Sequence, residues 1–111
     1  MESQPFFEIP SYLLNMERIN KKRDLVFNYL DMISSEIKIH ETDYGMYGNI
    51  NDKPFFRYYS KRNQLSFDRS TFDTICMMFD ISQGSAADYI KVYLSKKFNP
   101  SFITSTFFPS L

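Results

Sequence analysis

The sequence predicts an α+β domain: a small antiparallel sheet, one strand plus a β-hairpin, with an N-terminal helix and a C-terminal helical pair. Three observations lead there. Met16, Ile19, Val26, Leu30, Ile33 and Ile37 fall at helical spacing once Lys22-Arg23 is skipped. Ile37 to Thr42 alternates with period two, and the aromatic runs at 55–59 and 64–68 flank the polar stretch Ser60-Lys61-Arg62-Asn63, the pattern of a hairpin. Finally, Ser70-x-x-Asp73 and Ser85-x-x-Asp88 each set a capping hydroxyl ahead of a carboxylate that suits the positive end of a helix.

The elements follow in order. Pro5 and Pro10 enclose Phe6-Phe7, so residues 1–10 form an extended arm. The helix from Ser11 to about Ile37 is either continuous or broken near Asn20 and Lys22-Arg23. Asp43 to Asp52, with Gly45, Gly48 and two asparagines, reads as a loop. After the hairpin come the two helices, the second stopped by Asn99-Pro100. The tail carries Phe102, Ile103, Phe107 and Phe108 among serines and threonines. Residues 11–99 are thus a single domain between arms at 1–10 and 100–111.

Composition narrows the function classes. Thirteen basic and thirteen acidic residues cancel, so any attraction for nucleic acid or an anionic surface must come from a local patch. A single cysteine, Cys76, excludes an internal disulfide and suits a reducing, cytoplasmic compartment. No apolar run approaches the roughly 20 residues of a membrane span, and the amino end lacks the pattern of a secretory signal. The abundance of Phe, Tyr, Asn, Lys and Ile suits an AT-rich genome, such as those of phages and mobile elements.

Catalytic and cofactor motifs are missing. There is no phosphate loop, nucleophile elbow or dinucleotide fingerprint, and one histidine with one cysteine cannot build a transition-metal site. A Cys76–His40 pair would activate a thiol, but Cys76 beside Ile75 reads as core. Glu41 and Asp43, two apart, would face one way as a carboxylate pair or, equally, into solvent. The expectation is a non-enzyme without cofactor, metal or small-molecule substrate.

The leading expectation is a module that docks on another protein or on its own copies. Aromatic rings in the arms need burial, on their own domain or on a partner, and Phe6, Phe7, Phe102, Phe107 and Phe108 are the anchors this implies. The basic run Arg18, Lys21, Lys22 and Arg23 is a secondary contact for an acidic partner.

The alternative is nucleic-acid binding. Lys53, Arg57, Lys61, Arg62 and Arg69 interleave with Phe55, Phe56, Tyr58 and Tyr59, rings that would either stack on bases or fill the core. The 70–99 segment fits a helix-turn-helix if Ser82 caps its second helix, which makes Gln83, Gly84, Ser85, Ala87, Asp88 and Lys91 the reading positions. If Ser85 is the cap, the connection is too long and the pair is an ordinary helical hairpin, the reading favoured by so few cationic side chains.

Overall fold

The structure is a computed structural model that describes the backbone of residues 11–111 and the side chains of residues 20–111. Helix α1 (Ser11–Ile33) runs unbroken through the Lys22-Arg23 gap. Its two cations are anchored rather than free: Lys22 Nζ donates to the Asp80 carbonyl at 3.0 Å, and the Arg23 guanidinium lies 5.9 Å from the Phe27 ring centre. Long cationic stems lying along the surface keep the helical face continuous where apolar side chains are lacking.

Five strands follow in a mixed, mostly antiparallel sheet of order β1-β2-β3-β4-β5. They are β1 (Lys38–Thr42), β2 (Gly45–Ile50), β3 (Lys53–Tyr59), β4 (Gln64–Phe67) and β5 (Thr106–Phe108), the last parallel to β4. The α+β class and the helix placement are as the sequence predicts; the sheet is larger by two strands. The first addition is β2, where the sequence suggests a loop. Its glycines answer to close packing, not to a turn: a Cβ on Gly48 would stand 2.6 Å from both Ile37 Cδ1 and Phe56 Cε1. Gly45 starts the strand at φ +152°. Asn51 and Asp52, both at positive φ, then make the two-residue turn into β3.

A bulge sets the faces of β3. Gly48 pairs with Phe56 and Asn49 with Pro54, so Phe55 is an extra residue, and both Phe55 and Phe56 are buried. Beyond it the alternation resumes, with Tyr58 inward and Arg57 and Tyr59 exposed.

The second addition is β5. Helices α2 (Arg69–Phe79) and α3 (Gln83–Lys97), then a 3₁₀ turn (Pro100–Thr104), carry the chain back across the core to the β4 edge. Phe102 in that turn is fully buried, its ring 4.7 Å from Tyr58 and 5.6 Å from Phe56. Phe107 packs at 5.6 Å on Phe72 of α2. The segment 100–108 therefore lies on its own chain.

The start of α2 differs from expectation, and the start of α3 is the first of the two that the sequence allows. Asp68, not Ser70, caps α2 by accepting from Thr71 N, and Ser82, not Ser85, caps α3 by accepting from Ser85 N. The connection is thus Asp80-Ile81-Ser82, with Asp80 in the left-handed conformation closing α2. Phe72, Ile75, Ala86, Ile90 and Tyr93 are buried along this pair, with Phe79 and Ile81 packed against them.

Tyr93 joins α3 to α1. Its hydroxyl donates to Asp31 Oδ1 at 2.7 Å and lies 2.7 Å from Ser34 Oγ, and Lys97 Nζ donates to it at 3.2 Å. Burial, ahead of these polar contacts, pushes the Tyr93 phenol above its ordinary value, and the bond to Tyr93 raises Lys97. Both groups hold their protons more tightly folded than unfolded. Their contribution is therefore complete below about pH 10 and is lost as pH rises through the raised values. Thermal melts are expected to show stability falling above about pH 10, and Tyr93→Phe should reduce that fall.

Candidate functional site

Among the described residues the helices cover one face of the sheet and leave the other open. Cross-strand partners share a face, so the register sorts the side chains. His40, Tyr47, Arg57, Ser66 and Phe108 form one row across all five strands on the open face. Thr42, Gly45, Tyr59, Gln64 and Thr106 form the next.

This face is aromatic and cationic together. Tyr59 is 37% exposed and Tyr44, in the β1–β2 turn, 65%. His40 stacks on Tyr47 across the β1–β2 pair, ring centres 4.9 Å apart and 19° from parallel. Between these rings lies an open hollow of about 510 Å³, lined by Tyr44, Tyr47, Arg57 and Tyr59, with Asp52 at its far end. A second recess, bounded by Tyr44, Tyr59, Lys61 and Arg62, continues it over the β3–β4 turn. Among the described residues no ion pair engages Arg57, Lys61 or Arg62.

Hydrogen bonds fix this end of the sheet. Ser60 donates to the Tyr44 carbonyl from both N and Oγ, at 2.7 and 2.8 Å, which ties the two turns together. Asn63, at φ 49°, donates from its amide to the Thr104 carbonyl at 2.9 Å and accepts from Tyr58 and Ser105 hydroxyls. The hairpin tip is therefore anchored to the returning chain, while Lys61 and Arg62 project from it, exposed. No family model, curated protein or solved structure matches this chain.

The residues singled out from sequence are dispersed. Phe6 and Phe7 lie outside the described residues, as does the side chain of Arg18 on α1. Lys21 is exposed, and Lys22 and Arg23 are held as described, so the basic run does not form one patch. Phe102, which the sequence suggests as a partner anchor, is instead a core residue, because the 3₁₀ turn inserts it between Phe56 and Tyr58. Phe107 is half-buried against the core, and Phe108 remains on the open face, 44% exposed.

On α3, Ser85 is engaged in the cap, and Lys91 Nζ donates to the Ser105 carbonyl at 3.2 Å, which leaves Gln83 exposed at the helix start. Of the hairpin rings, Phe55, Phe56 and Tyr58 fill the core and only Tyr59 faces out. His40, Glu41 and Asp43 are exposed and do not converge with half-buried Cys76, whose thiol is raised chiefly by burial. Among the described residues no group of three His, Cys, Asp or Glu side chains could hold a metal ion. Nor is any described helix long and apolar enough to cross a membrane.

Tyr44 and Tyr47 are the residues that sequence reasoning missed. The signal was Asn51-Asp52, a two-residue hairpin turn between Ile50 and Lys53, which implies a strand before it as well as after.

Proposed function

We propose that this chain is a nucleic-acid-binding module whose contact surface is the open face of the sheet together with the β3–β4 turn. One observation carries the reading: Tyr44, Tyr47 and Tyr59 stand beside Arg57, Lys61 and Arg62, whose charges have no acidic partner among the described residues. Rings supply flat apolar contact for bases, and guanidinium and ammonium groups supply phosphate contact. A local patch of this kind is what a chain of zero net charge requires.

A protein partner has weaker support. The C-terminal arm, the anchor set that the sequence suggests, places Phe102 in its own core and Phe107 against it.

The test is fluorescence anisotropy with labelled oligonucleotides across a salt series. Binding is expected at about 50 mM salt and should weaken as salt rises. The double variant Lys61→Glu with Arg62→Glu should lower affinity at least about tenfold and reduce the slope of log K against log salt by about 1.4, two single-strand phosphate contacts' worth. No binding at low salt by the folded wild-type chain would overturn the proposal.

A further inference from the structure

Resting on that reading, we infer that the open face takes single strands in preference to duplex, with unstacked bases laid on Tyr44 and Tyr59. A ring can meet a base only through the base's π-face, and in a duplex those faces are covered by neighbouring pairs. Exposed rings are therefore of use to a strand whose bases are free.

The two rings are available in that sense. Tyr47 already has His40 stacked on it, whereas Tyr44 and Tyr59 have no ring partner among the described residues. Gly45 stands opposite Tyr59 in the register, so no side chain of β2 lies directly across from that ring. Lys61 and Arg62 share a recess with these same two tyrosines, which places phosphate contacts next to the stacking surface. Asp52 lies at the other end of the hollow and disfavours phosphate there, so the sugar–phosphate path follows the β3–β4 turn.

Duplex recognition would need a different surface. A groove-reading helix relies on Arg, Lys, Asn or Gln at its exposed start. Here α3 offers Gln83 and Gly84 with Asp88, which repels phosphate, and the ammonium of Lys91 is bound to the Ser105 carbonyl. The helical pair has the short turn of a helix-turn-helix but not its side chains.

The experiment compares four probes of one mixed sequence of about 12 nucleotides: the DNA strand, the RNA strand and the two corresponding duplexes. Stacking and phosphate contact need neither sugar in particular, so preference of at least about tenfold for either strand over its duplex is the expected result. Tyr44→Ala and Tyr59→Ala should each weaken single-strand binding about tenfold, while Tyr59→Phe, which keeps the ring, stays within about twofold of wild type. Far-ultraviolet circular dichroism confirms that each variant is folded. Salt-dependent binding in which duplex equals or exceeds the strand, or in which both folded alanine variants bind as wild type does, overturns the single-strand inference and leaves the nucleic-acid reading standing. No salt-dependent binding to any probe overturns both.

Discussion

Replacing Phe102 by alanine is expected to destabilise the protein by about 3–5 kcal/mol and to lower its melting temperature by roughly 15 °C. The ring is fully buried and contacts Phe56 and Tyr58, two of the three rings through which β3 faces the core. Removing it opens a cavity that the 3₁₀ turn cannot close by sliding, because Asn63 holds Thr104 and Asn99 caps Ser101 from the other side. Its neighbour Ile103, 54% exposed, provides the control: Ile103→Ala should change stability by less than about 0.5 kcal/mol. Thermal and urea melts of the two variants decide the matter. An unchanged melt for Phe102→Ala would show that the ring is not the core residue described, and would return it to the role of a free anchor.

Gly45→Ala is expected to cost about 3 kcal/mol, although the position lies at the exposed end of the sheet. Its φ of +152° is one that side-chain-bearing residues rarely adopt, and a Cβ would fall 1.9 Å from the Tyr58 carbonyl oxygen, which belongs to backbone and cannot step aside. The strand start must shift, and with it the turn that presents Tyr44. Gly84→Ala gives the opposite sign. A Cβ there meets nothing nearer than Ser82 Oγ at 4.0 Å, and alanine's helix propensity should stabilise α3 by up to about 1 kcal/mol. Equilibrium unfolding of both variants in urea is the measurement; equal effects of the two would refute the distinction.

Much of the fold was legible from residue pattern because the pattern reports local forces. The 3.6-residue spacing of Val26, Leu30 and Ile33 marks α1, and the alternation through Phe56, Tyr58, Leu65 and Phe67 marks the hairpin. What was illegible depends on contacts between distant segments. Gly48 reads as a loop residue until Ile37 and Phe56 close over it, and nothing near Thr106 foretells that it will meet Gln64. Cap choice was ambiguous for a related reason. Ser82 and Ser85 both fit the local signal, and which of them caps depends on where Asp80 ends α2. The candidate site inherits these limits. Lys61, Arg62 and Arg57 are legible from their setting in the hairpin, whereas Tyr44 and Tyr47 join them only through the pairing of β2 with β3.

The bulge at Phe55 has a consequence for how such a sequence can evolve. Counting strictly from the Asn51–Asp52 turn, alternation without the extra residue would carry Arg57 into the core and turn Phe56 and Tyr58 out to water. One residue therefore keeps the Arg57 guanidinium and the packed rings on separate sides. Substitutions along β3 act one position at a time, but an insertion or deletion of a single codon acts on the whole strand at once. Drift in length at this hairpin is tolerable only where the bulge is made or unmade to restore the count.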